Sequence, residues 1–268
     1  MILYTITLCL FLSYQKTVLA NNETFNYTLY KSFMENVDLA NNETFNYTLY
    51  KSSIQNVDLF EGDIRLDTSF GEGRAFVLGH RIWDDGIIYY KFSPDLKITR
   101  ILLLLTILGA IEQVTCLRFV YRRTEENYIY IQEGIGCNSM VGKEGGRQIL
   151  NLGSGCWNVG IILHELCHVI GLYHEHNRPD RDKYINIVWD NIKKEFKTEF
   201  QLYGKDFLRI CDRYSYDTVM HYGPKSFAKD GKITIMPTLP NATIKEVYEW
   251  RSLSESDIEC INKLYKCE

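Results

Sequence analysis

No apolar run in this sequence approaches the roughly 20 residues that a membrane-spanning helix needs. The run "ILLLLTILGAI" at 101–111 has eleven residues and is closed off by Arg100 and Glu112. That length suits a buried core helix and excludes a bilayer span. Positive charge is not in excess either: 30 Lys and Arg stand against 34 Asp and Glu, a net charge of −4. The pI is about 5.9. The chain therefore lacks the electrostatic footprint of a nucleic-acid binder or of a protein held on an anionic membrane. A repeat near the start has no third copy, which excludes a solenoid, because stacked units need about three to be stable. What remains is ordinary globular composition, 46% hydrophobic and 24% charged over 268 residues. That length accommodates one large domain or two modest ones.

The first twenty residues, "MILYTITLCLFLSYQKTVLA", read as a secretory signal peptide. The apolar run Ile2 to Leu12 has h-region length, and Val18-Leu19-Ala20 supplies a cleavage site, although no Lys or Arg precedes the run. Secretion agrees with eight cysteines. Cys9 leaves with the signal, so an odd number stays behind and at least one thiol is unpaired within the chain. Residues 19–32, "LANNETFNYTLYKS", recur unchanged at 39–52. This polar duplication is expected to be poorly ordered. It carries N-x-T glycosylation candidates at Asn22, Asn26, Asn42 and Asn46, and Asn241 heads a further one.

From about Trp83 the pattern becomes regular. "IIYYKF" (87–92), "CLRFVYR" (116–122) and "YIYIQ" (128–132) are strand-like, with a helix predicted over 98–113. After residue 180 the pattern turns irregular until a helical segment near 254–266.

The chemistry concentrates in "GIILHELCHVIGLYHEHNRPDRD", residues 160–182. Val159, Ile162, Leu163, Leu166, Val169 and Ile170 recur at helical spacing and define an apolar face. His164 and His168 stand one helical turn apart, so both imidazoles project from the same side and can share one zinc ion. Glu165 sits at the edge of that side, in the general-base position of an H-E-x-x-H metalloprotease. Gly171 can take φ > 0 and turn the chain back. His174 then brings a third imidazole, and three histidines leave a coordination position for water, the mark of a catalytic zinc site. Two alternatives stand beside this: a site with Glu195 as third ligand, and a non-catalytic binding protein on a protease scaffold.

This segment resembles the astacin family of zinc metalloendopeptidases, a branch of the metzincins. The family motif H-E-x-x-H-x-x-G-x-x-H-E-x-x-R-x-D-R-D is matched through Glu175, Arg178, Asp180, Arg181 and Asp182. The family's Met-turn, S-x-M-H-Y, reads "DTVMHY" at 217–222, with Thr218 in the Ser position. "TCLRF" (115–119), "FAKDGKITI" (227–235) and "LSESDIECINKLYKC" (253–267) are similar to further family blocks. The resemblance implies an α+β fold: a two-lobed metzincin-type catalytic domain over 75–268. Its N-terminal lobe has a twisted, mostly parallel sheet and two long helices, and its irregular C-terminal lobe ends in a helix. It implies one Zn2+ per chain on His164, His168 and His174, catalysis by Glu165 and Tyr222, and Met220 as the floor beneath the metal. It implies disulfides Cys116–Cys267 and Cys137–Cys156, leaving Cys167 as a buried thiol and Cys211–Cys260 as an extra bridge. One departure stands out. Where the family often has an Arg that favours acidic residues after the scissile bond, this chain has Trp250, with Arg251 one position later.

The stretch "LFEGDIRL" (59–66) alone reads as a turn, Gly62 being flanked by acids. Family prosegments resemble F-x-G-D here, which Phe60, Gly62 and Asp63 match. The resemblance implies that residues 21–74 are a prosegment whose Asp63 takes the open zinc position. Cleavage near Arg74–Ala75 by an activating protease would release the enzyme and let the new amino terminus pair with Glu175. The expected protein is a secreted, extracellular monomer acting on protein or peptide substrates.

Overall fold

The computed structural model describes residues 27–40, 45–56, 58–65, 82–204 and 213–267. The predicted signal peptide, Asn22, Asn26, Asn42, Cys211 and the Arg74–Ala75 bond lie outside the described residues.

Strand β1 (Ile87–Phe92) buries Ile88 and Tyr90, and β3 (Tyr128–Gln132) buries Ile129 and Ile131. This is the period of two that places alternate side chains on one face of a sheet. Helix α3 (Ile98–Val114), the third α-helix among the described residues, covers that face with Leu103, Leu104, Ile107, Leu108 and Ile111. It serves as the crossover to β2 (Arg118–Tyr121), which runs parallel to β1. The predicted strand over 116–122 is shorter at its start because Cys116 is held in the bridge to Cys267. With β4 (Cys137–Asn138) and β5 (Arg147–Leu152), the sheet has order β2-β1-β3-β5-β4. Only the β4–β5 pair is antiparallel. Ile88↔Phe119, Tyr90↔Ile129 and Ile131↔Leu150 set the register. Helix α4 (Val159–Ile170) follows β5.

The second lobe has its own core of Ile185, Ile192, Phe196, Phe200, Tyr222, Phe227, Ile235 and Ile244. Its regular structure is slight: β6 (Ile185–Ile187) paired with β7 (Ile235–Pro237), a series of short 3-10 segments, and α5 (Glu255–Tyr265). Cys116–Cys267 ties the end of the chain to the first lobe, and Cys137–Cys156 pins β4 beside the entry to α4. Cys260 is disulfide-bonded, and Cys167 is a free, buried thiol. Among the described residues no helix is long and apolar enough to cross a membrane.

The duplicated segment departs from expectation. Both copies of "YTLYKS" enter helices, α1 (Tyr27–Ala40) and α2 (Tyr47–Ile54). Asn46 caps α2 by accepting a hydrogen bond from the Leu49 amide at 3.1 Å. Equivalent tyrosines of the repeat, Tyr30 and Tyr50, are 1% and 2% exposed. Burial of these large rings in the main core offsets the ordering cost that a polar sequence could not otherwise meet. The first copy docks on Leu253, whose carbonyl accepts from the Tyr27 hydroxyl at 3.0 Å and whose amide donates to Tyr30 at 3.2 Å. The second gathers Phe45, Tyr47 and Tyr50 around the Tyr248 ring at 4.7–5.7 Å between centroids.

Candidate metal centre

Helix α4 is buried on every side, not along one stripe. Its start is capped by Asn158, whose Oδ1 accepts from the Gly160 and Ile161 amides at 2.9 and 3.4 Å. Gly160 lies so close to the 247–250 backbone that a Cβ would sit 2.2 Å from the Val247 carbonyl oxygen. Gly171 ends the helix at φ 122 and returns the chain.

The turn carries His174 back over His164 and His168. Their Nε2 atoms converge: His174 lies 3.1 Å from His168 and 3.2 Å from His164. Tetrahedral zinc with bonds of about 2.0–2.1 Å would set its nitrogen ligands roughly 3.3 Å apart. The orientation of each ring is imposed from behind. His164 Nδ1 donates to the Val219 carbonyl at 2.7 Å and His168 Nδ1 to the Leu172 carbonyl at 2.8 Å. His174 Nδ1 donates to the Glu61 carboxylate at 2.5 Å. These partners only accept, so the proton sits on Nδ1 and every Nε2 lone pair points inward.

Asp63 completes the cluster. Its Oδ2 is 3.2 Å from His164 Nε2, and its Oδ1 is 3.3 and 3.7 Å from His174 and His168. The four ligand atoms lie within 4.8 Å of one another and all four residues are buried. Asp63 Oδ1 accepts no hydrogen bond, nor does either Glu165 oxygen. Burial pushes the Glu165 carboxyl well up, and the Asp63 charge adds to it. Three inward lone pairs and two buried carboxylates with orphan oxygens call for a cation, and the donor set of imidazoles plus carboxylate fits zinc. Glu195 is exposed on a 3-10 segment and stands outside this group.

Asp63 reaches the centre by sheet extension. Ile64 forms a parallel bridge to Ser139, just beyond β4, with the Ser139 amide donating to the Asp63 carbonyl at 3.1 Å. Gly62 (φ 82) makes the close approach; a Cβ there would meet the Ile54 carbonyl at 2.5 Å.

The Met-turn lies beside the cluster, its Val219 carbonyl accepting from His164. Met220 is 2% exposed, and its carbonyl accepts from the Glu175 amide at 2.9 Å. The Thr218 hydroxyl donates to Asp257 at 2.5 Å and accepts from the Met220 amide at 3.1 Å, a role that needs only the hydroxyl Thr shares with Ser. Tyr222 is buried, stacked on His176 at 4.0 Å, and its hydroxyl donates to the Glu61 carbonyl. Glu175 is engaged with Arg178 at 3.1 Å and the Ser215 amide at 2.8 Å; burial pushes its carboxyl up to about 7 against the Arg178 charge. Trp250 is buried with the Lys245 ammonium 4.1 Å over its ring, and Arg251 donates to the Tyr248 and Trp250 carbonyls. Asn241 is exposed in the left-handed region at φ 64, and Asn46 is exposed at its cap.

Sequence reasoning missed Glu61, Asp257 and His176. Glu61 occupies the variable position of F-x-G-D, and its partners are more than a hundred residues away. Asp257 had a local signal, the S-x-x-D box at the start of α5, but its bond to Thr218 spans 39 residues.

The profile of the astacin peptidase family matches residues 77–266. The chain belongs to that family, a family of zinc metalloendopeptidases. It is 39% identical over 189 residues to zinc metalloproteinase nas-15 of Caenorhabditis elegans, covering 70% of this chain and 33% of that protein. It is 38% identical over 213 residues to astacin-like metalloprotease toxin 1 of Loxosceles intermedia, covering 77% of this chain and 80% of the toxin. Among solved structures it is similar to high choriolytic enzyme 1, a hatching-enzyme zinc protease of the medaka Oryzias latipes. The TM-score is 0.64 at 34% identity, covering 70% of this chain and 94% of that one. The chain thus spans a third of one curated relative and most of another.

Proposed function

We propose that this chain is a secreted zinc-dependent endopeptidase, made latent by its own N-terminal segment and hydrolysing protein or peptide substrates. The observation that carries the reading is the convergence of three Nε2 lone pairs on a buried carboxylate, Asp63, that belongs to a different part of the chain. Zinc bound to His164, His168 and His174 would supply Lewis-acid polarisation and a water whose pKa falls to about 7.

The residues of the chain do the rest. Glu165, buried and with both oxygens unpartnered, would serve as the proton acceptor beside the metal position and would return the proton to the leaving amine. The Tyr222 hydroxyl, freed from Glu61, donates to the scissile carbonyl oxygen as charge develops there. Met220 and the Thr218–Asp257 brace keep the floor and the ring of Tyr222 in place. Asp63 occupies the position a substrate carbonyl and water must share, so the intact chain is inactive. Release needs cleavage near Arg74–Ala75 by another protease, after which Glu175 receives the new amino terminus. The enzyme acts as an extracellular monomer, with Asn46 and Asn241 open to glycosylation.

Glu165→Gln is the test. The variant keeps zinc, measured by elemental analysis, and loses hydrolysis of an unfolded protein substrate. Full activity in that variant would sink the assignment.

A further inference from the structure

The Glu61 carboxylate is 2% exposed and yet fully engaged. Oε2 accepts from His174 Nδ1 at 2.5 Å and from the Tyr203 hydroxyl at 2.7 Å, and Oε1 accepts from Asn177 Nδ2 at 2.5 Å. All three donors belong to the body of the protein, and the acceptor belongs to the segment proposed to leave. The donors are held in place without Glu61. The Asn177 amide also donates to the Glu199 carbonyl at 2.9 Å, and the Tyr203 amide donates to the Asn177 carbonyl at 2.8 Å. Tyr203 stacks edge-on against Tyr173 at 5.7 Å.

We infer that His174, Asn177 and Tyr203 form a carboxylate-binding subsite beside the metal centre, filled by Glu61 in the latent chain and by an acidic side chain of a peptide in the released enzyme. Three converging donors, one of them on a metal-binding imidazole, match the two oxygens of a carboxylate, and a carboxylate on the rear nitrogen of such an imidazole is a favoured arrangement. When Glu61 withdraws, the His174 Nδ1–H and one Asn177 proton need another acceptor, since a buried donor left unsatisfied is costly. A peptide threading the cleft with an Asp or Glu at this point meets that need; Gln in its place lacks the charge. The choice of Glu61 as the subsite's occupant rests on the latency reading, and the donor geometry does not.

The experiment uses enzyme activated by limited proteolysis of the full chain, and a synthetic peptide spanning residues 58–65, DLFEGDIR. Its inhibition constant is compared with those of its Glu61→Gln and Asp63→Asn forms, with intact peptide confirmed by mass spectrometry. The expected result is at least tenfold weaker inhibition by the Glu61→Gln peptide, since hydrogen bonds to a charged group are strong. That ratio should fall toward one on Tyr203→Phe and Asn177→Ala enzymes. Equal inhibition by the wild-type and Glu61→Gln peptides overturns the subsite, and so does a ratio unchanged on both enzyme variants. The Asp63→Asn peptide judges latency separately. If it inhibits as well as wild type, the Asp63 reading fails while the Glu61 comparison still decides the subsite.

Discussion

Replacing Asp63 by alanine in the uncleaved chain puts the latency mechanism under direct strain. The carboxylate stands 3.2–3.7 Å from three imidazole nitrogens in a site that excludes water. Facing three inward lone pairs, the carboxylate is held through the zinc they would share, and its loss is taken as at least one charge-assisted interaction of roughly 1.5–3 kcal/mol. Losing one such contribution shifts the balance between seated and unseated segment by roughly ten- to a hundredfold. The segment does not fall away entirely, because backbone bonds to Ser139 and the Tyr222–Glu61 contact survive the change. Partial leakage is therefore expected, well short of full activity. The assay is hydrolysis of a quenched fluorescent peptide by chain carrying Arg74→Gln, which removes the proposed activation site, with intact precursor confirmed by mass spectrometry. A rise of about ten- to a hundredfold over the same precursor with Asp63 intact fits the reasoning. A precursor that remains as silent as before refutes it and reduces Asp63 to a turn residue.

Other outcomes follow from the same geometry. Glu165→Gln should lower kcat by roughly 10²–10⁴-fold, the range for removing a general acid–base group, with zinc content unchanged. His174→Ala should lose stoichiometric zinc while Glu195→Ala retains it, read by elemental analysis. Thr218→Val removes the hydroxyl shared by Asp257 and the Met220 amide. It should cost about 1–3 kcal/mol and lower Tm by roughly 2–4 °C per kcal/mol, with Thr218→Ser restoring the loss; an unchanged Tm removes the brace from the account.

Which parts were legible in the sequence follows from the range of the interactions involved. The helix with His164 and His168, and His174 beyond its end, were readable because a turn of helix and a glycine return depend on spacing within a dozen residues. The strands were readable because Ile88/Tyr90 and Ile129/Ile131 alternate. The ordering of the duplicated segment was not readable, since "NYTLYKS" is polar and its helices depend on Tyr248 and Leu253, some two hundred residues away. Glu61 was hidden for the same reason: a lone acid beside Gly62 carries no local mark of the His174, Asn177 and Tyr203 donors that hold it. The full burial of α4 was only half visible, because Gly160 and Cys167 face packed backbone and core and not solvent.

The central claim is that three histidines hold a zinc ion that drives peptide hydrolysis. Casein hydrolysis by the proteolytically activated chain, measured before and after chelation and again after zinc is returned, tests it most directly. The account predicts cleavage that stops with the chelator and returns with zinc. Cleavage that persists in the chelated protein, or no cleavage by the zinc-loaded activated chain, would contradict it.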